Sequence, residues 1–132
     1  MRRVVIRRPV AVGLALFVCA AGCRDKSDEF TKATRCLHEH HVRDVTLTSF
    51  SRAAAGRGWR LQRLDVGGDK VILLGARTDH GARDAQKRVE EAREALGGPL
   101  AGSIVIGRRG NLVYWWERRP ERKHRELFDA CL

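Results

Sequence analysis

The sequence predicts an α+β fold: a single small antiparallel sheet of about four strands, made by two hairpins flanking a central helix, with helices packed on one face. Two observations point there. Twice a pair of apolar, β-prone runs is separated by turn residues that include glycine, and between the pairs runs an amphipathic stripe several turns long. A third bounds the size, because 132 residues with 43% apolar side chains suffice for one core and exclude a multi-span membrane protein or a long repeat array. Half-apolar strands and amphipathic helices each need a partner layer, and stacking one on the other supplies it.

The domain is expected over residues 29–132. Phe30, Ala33, Cys36 and Leu37 recur at helical spacing to about His41 and predict a first helix. Thr48 offers an N-cap to a short helix carrying Phe50, Ala53 and Ala54, which Gly56 ends. The first hairpin joins Trp59–Val66 to Lys70–Ala76 through Gly67-Gly68-Asp69. Ala82, Ala85, Val89, Ala92 and Leu96 then form the inner stripe of the central helix, with Asp84/Arg88 and Lys87/Glu91 paired at four-residue spacing elsewhere on it. Gly97, Gly98 and Pro99 end that helix. The second hairpin joins Ser103–Gly107 to Leu112–Glu117 through Arg108, Arg109, Gly110 and Asn111. Pro120 suits the first turn of a closing helix in which His124, Leu127, Phe128 and Cys131 share a face. Alternation along the last strand separates Tyr114 and Trp116 from Trp115, so at least one ring enters the core and leaves the remainder to line a groove.

Ahead of the domain, Arg2, Arg3, Arg7 and Arg8 precede an apolar run, Val10–Ala21, and the segment closes on Ala20-Ala21-Gly22-Cys23. A charged start, a short apolar stretch and a small-residue end make an export signal over residues 1–22. The apolar run spans roughly 18 Å as a helix, short of the ~30 Å that a membrane-crossing helix must cover. The ending Ala21-Gly22-Cys23 resembles the lipobox of bacterial lipoproteins, with Ala20 in place of the usual leucine. This resemblance covers residues 1–23. It implies cleavage before Cys23, a diacylated Cys23 sulfur as the new N-terminus, and a tether over residues 23–28. The product would sit lipid-anchored on the outer face of the cytoplasmic membrane or in the cell envelope. Ordinary secretory cleavage near Ala20 or Ala21 is the alternative and leaves a secreted or periplasmic protein.

Export also sorts the cysteines. Cys19 leaves with the signal and Cys23 carries lipid, so Cys36 and Cys131 are the remaining thiols, and an oxidising compartment joins them as a disulfide between the first and last helices.

Chemistry-bearing motifs are sparse. His38, His40 and His41 cluster with Glu39, and His38 and His41 share one helical face while Cys36 and His40 share another. Zinc needs three or four convergent ligands, so a metal site on His38 and His41 would have to recruit His80 or Asp79 from elsewhere. Histidines at a helix C-terminus also favour its dipole without any metal. Asp79 beside His80 could orient a general base, yet no serine or cysteine nucleophile lies in a recognisable motif, and Gly75 and Gly81 lack the ending of a phosphate loop. The reading is therefore no catalytic residue, no metal and no cofactor. Its rival is a small exported hydrolase or metal-binding protein using His38, His41, Asp79 and His80.

Charge is the more usable signal. The chain carries +10, and without the four arginines of residues 1–22 it keeps 22 basic against 16 acidic residues, a net of +6. Most of that excess falls in residues 108–125, where Arg108, Arg109, Arg118, Arg119, Arg122, Lys123 and Arg125 face only Glu117 and Glu121. Such a segment attracts anionic lipid, an anionic envelope polymer or a protein partner, within about a Debye length of the surface. Export removes nucleic acid as a partner for the aromatic and basic residues around Trp115 and Arg118. The sequence thus reads as a non-enzymatic, membrane-anchored binding module with a basic C-terminal third.

Overall fold

A computed structural model describes residues 27–47 and 51–132. The export segment, Cys23, Thr48 and Phe50 lie outside the described residues. The chain is α+β, with helices α1 (Ser27–Glu39), α2 (Ser51–Gly56), α3 (Asp79–Leu96), α4 (Gly98–Ser103) and α5 (Arg122–Cys131). Its strands are β1 (Arg43–Val45), β2 (Arg60–Val66), β3 (Asp69–Gly75), β4 (Val105–Arg109) and β5 (Leu112–Trp116). They form one open sheet in the order β1-β2-β3-β5-β4, antiparallel at every pairing. No described helix is long and apolar enough to cross a membrane.

Local chemistry sets the boundaries. Helix α1 stops because His41 adopts φ 64°. The Val42 N–H then bonds the Leu37 carbonyl at 3.0 Å and the His41 N–H bonds that of His38 at 3.0 Å, the paired bonds of a Schellman motif, with Val42 and Leu37 both in the core. Helix α3 begins at Thr78, whose hydroxyl accepts from the Gly81 N–H at 3.0 Å. The first hairpin turns on two residues, Gly67 and Gly68, at φ 62° and 100°, and this positive φ at both positions is what a tight hairpin of the correct twist demands.

The expected α+β fold with one antiparallel sheet is present, and it differs in two details. The sheet has a fifth strand, β1, paired with the far end of β2 from Arg43↔Asp65 to Val45↔Arg63. It is three residues long and largely exposed, so it carries none of the apolar alternation that marks a strand in sequence. Helices also cover both faces rather than one. On the first face Leu64, Val66, Val71, Leu73, Leu112 and Trp116 pack against α1 and α5 through Phe30, Leu37 and Phe128. On the second, Leu74 and Val113 pack against Ala82 and Ala85 of α3. The physical reason lies in β3, where Val71-Ile72-Leu73-Leu74 is apolar without a break: consecutive side chains point to opposite faces, so all four are buried only if both faces are covered. Two boundaries differ as well, because Arg108 and Arg109 complete β4 and leave Gly110-Asn111 as the turn, and α4 follows Gly97 at once with Pro99 in its first turn.

Aromatic packing fills the first face. Phe128 meets Trp116 and Tyr114 edge-on, with ring centroids 5.1 and 5.2 Å away. Tyr114 lies across its cross-strand partner Gly107, where a β-carbon would fall 2.4 Å from the ring.

Candidate functional site

The second face leaves a cavity. Burial falls along the inner stripe of α3: Ala82 and Ala85 are fully buried, Val89 is half-buried, Ala92 is exposed, and Leu96 is 64% exposed. Small side chains let the start of the helix sit on the sheet, whereas the later part encloses a cleft of about 380 Å³ with the strands. Leu61, Leu74 and Trp115 form its floor, Trp59 and Ile104 its sides, and Val89, Ala92 and Leu96 its roof. That volume lies within the range of roughly 300–1,000 Å³ typical of small-molecule sites.

The apolar interior has a cationic border. Arg57, Arg88 and Arg93 also line the cleft. Asp84 is 3.5 Å from Arg57 Nη1 and 3.2 Å from Arg88 Nε, so one carboxylate answers two guanidinium groups. Arg93 Nη1 donates to the neutral carbonyl of Ile104 at 3.4 Å and has no ion-pair partner among the described residues. Arg57 further stacks on Trp59, 5.2 Å from the ring centroid. Among the described residues the lining consists of apolar and aromatic side chains with three arginines.

The residues singled out in the sequence are distributed as follows. Cys36 and Cys131 are joined, with Cα atoms 5.5 Å apart across 95 positions of chain. The seven basic residues of 108–125 are spread over the end of β4, the segment after β5, and α5. Arg108 and Arg109 end β4 on opposite faces, and β5, about 17 Å long, separates them from Arg118 and Arg119. Arg122, Lys123 and Arg125 ride on α5, paired with Glu126, Glu121 and Asp129. Arg108 bonds Gln86, and Arg109 bonds the Asp129 carbonyl. Arg119 has no ion-pair partner among the described residues.

The rival's residues are not brought together. His38 bonds Asp44 at 2.7 Å, His41 is the αL residue ending α1, and Asp79 and His80 are exposed in the first turn of α3. Among the described residues, His38, His41 and His80 belong to no convergent group of metal-ligating side chains.

Sequence reading missed the three cleft arginines and one polar pair. Asp69, 8% exposed at the start of β3, accepts from His124 Nδ1 at 2.7 Å and from the Glu121 N–H at 2.9 Å. Burial alone would raise its carboxyl pKa; the His124 and Glu121 hydrogen bonds, with Arg118 nearby, outweigh burial and hold it below the ordinary value. An ionised carboxylate only accepts, so Nδ1 carries the proton in this bond. His124 also lies over Gly67, where a β-carbon would fall 2.2 Å from its ring, so the hairpin glycine makes room for the clamp on α5. With 55 positions between the partners, no local pattern announces the pair. The arginines had a signal, since Arg88 and Arg93 flank the Val89, Ala92 and Leu96 stripe.

No protein-family model matches the chain, and no curated protein and no solved structure is significantly similar to it.

Proposed function

We propose that this is an exported, lipid-anchored and non-enzymatic binding module, tethered through Cys23, whose cleft takes the apolar part of an anionic amphiphile. The observation that carries the reading is the cleft itself: an apolar cavity of about 380 Å³ bordered by three arginines and answered by one carboxylate. Apolar walls favour a hydrocarbon chain or ring, and guanidinium groups at the border favour a carboxylate or phosphate head through charge-assisted hydrogen bonds. A disulfide between Cys36 and Cys131 supports an address outside the cytoplasm, where such bonds persist. Arg122, Lys123 and Arg125, exposed on α5, would add to the anchor by attraction to anionic headgroups, at about 1 kcal/mol per nearby base.

Trp59 and Trp115 line the cleft and report on its occupant. Titration with decanoate is expected to shift tryptophan emission with one equivalent bound, and decanol, of equal chain but neutral, to bind at least tenfold more weakly. Replacing Arg88 and Arg93 together by glutamine should erase that preference. Equal binding of the two probes, or none of either, overturns the assignment of the cleft. The address is tested separately by mass spectrometry of protein extracted from membranes. It should begin at an acylated Cys23; a chain beginning at Met1 overturns export.

A further inference from the structure

The contact between α1 and α5 holds a group that the binding reading does not use. Cys36 and His40 stand one turn apart at the end of α1, and Cys131 is the last helical residue of α5. The two sulfurs and an imidazole nitrogen of His40 all lie within 4.8 Å of one another. Among the described residues, this is the convergent set of three metal-ligating side chains. We propose that, once its disulfide is reduced, the protein binds one thiophilic cation, Zn²⁺ or Cu⁺, through the thiolates of Cys36 and Cys131 and the imidazole of His40.

Three features support the site. The donor set is two soft thiolates and one imidazole, which suits these two cations and disfavours Mg²⁺ or Ca²⁺. The three ligand atoms already converge, and ligand atoms sharing a tetrahedral zinc lie roughly 3.5 to 3.8 Å apart, a separation the two sulfurs can take up only once reduction breaks the bond between them. His40 is held yet unused. Its backbone N–H bonds the Cys36 and Leu37 carbonyls at 3.2 and 3.1 Å, and the Schellman motif fixes the residues that follow. Its ring, unlike that of His38, has no hydrogen-bond or ion-pair partner among the described residues.

Metal and disulfide exclude each other. A dithiol reductant supplies two electrons and two protons, breaks the Cys36–Cys131 bond into two thiols and is itself oxidised to a disulfide. The thiols then release their two protons as the cation binds. Three protein ligands complete a trigonal Cu⁺ site, whereas Zn²⁺ takes a water in the fourth position.

The test is made on the isolated protein, reduced with a dithiol, freed of it under argon, and titrated with Zn²⁺ or Cu⁺ against a competing chelator. Expected are one equivalent of metal per chain, protection of both thiols from alkylation, and no binding by the oxidised protein. Competition ranks the two cations. His40→Ala should weaken binding at least tenfold, and His38→Ala should not change it. Reduced protein that binds less than half an equivalent of either cation overturns the proposal, as does binding indifferent to His40→Ala. Circular dichroism covers the remaining case: a reduced chain that unfolds and is not restored by either metal also overturns it.

Discussion

The two faces of the sheet are built from similar side chains and packed to different degrees. On the α1/α5 face, Leu37, Trp116 and Phe128 are wholly buried, and a disulfide and the Asp69–His124 pair pin the helices down. On the α3 face, Trp59 and Trp115 remain half-buried beside a cavity, and the helix is fixed closely to the sheet only where Ala82 and Ala85 touch it. Interiors of folded proteins are close-packed, so a cavity of this size left open in a small domain is tolerable only because the other face supplies the stability. The difference teaches that the packed core and the proposed binding cleft are separated by one layer of strands.

If so, damage to the first face should cost stability and damage to the second should cost ligand. Removing the disulfide by Cys36→Ala with Cys131→Ala should cost the most, about 4 to 5 kcal/mol as an upper figure for a loop of this length, read from urea midpoints. Next, Phe128→Ala should cost about 3 to 5 kcal/mol, and Trp115→Ala, on the other face, less than about 2 kcal/mol. Equal losses at Phe128 and Trp115 would break the comparison.

Asp69→Asn should cost about 1 to 2 kcal/mol at neutral pH. The sign with pH follows from its depressed folded-state pKa: the ionised carboxylate stabilises the fold above the unfolded value near 3.8, and this contribution is lost as pH falls through the lower folded value. Wild-type stability should therefore decline below about pH 4 along a steeper acid limb than that of Asp69→Asn. His41→Gly should raise stability by about 0.5 to 1 kcal/mol by relieving a positive φ. Smallest in stability is Ala92→Trp, within about 0.5 kcal/mol of wild type by thermal melt, yet it should fill the cleft and abolish decanoate binding.

Much of this was legible in the chain, and what was not has identifiable physical causes. The hairpins could be read because Gly67-Gly68 and Gly110-Asn111 interrupt apolar runs, and the split of Trp116 into the core and Trp115 into the groove follows from a period of two. The disulfide pairing was legible because, under the export reading, Cys36 and Cys131 were the cysteines left. Strand β1 was hidden, because Arg43 and Asp44 are exposed and its pairing is decided by the edge of β2 rather than by its own side chains. The cleft was only half visible. Its stripe on α3 was plain, but the unbroken apolar run in β3, which should have announced two covered faces, was read as belonging to a sheet covered on one.

The bond between Cys36 and Cys131 has one more consequence. Every described loop beyond α1, including the exposed Gly97-Gly98 corner between α3 and α4, falls inside the covalent circle that it closes. A protease that nicks that corner leaves one molecule of unchanged electrophoretic size, and only a reducing gel resolves it into two pieces.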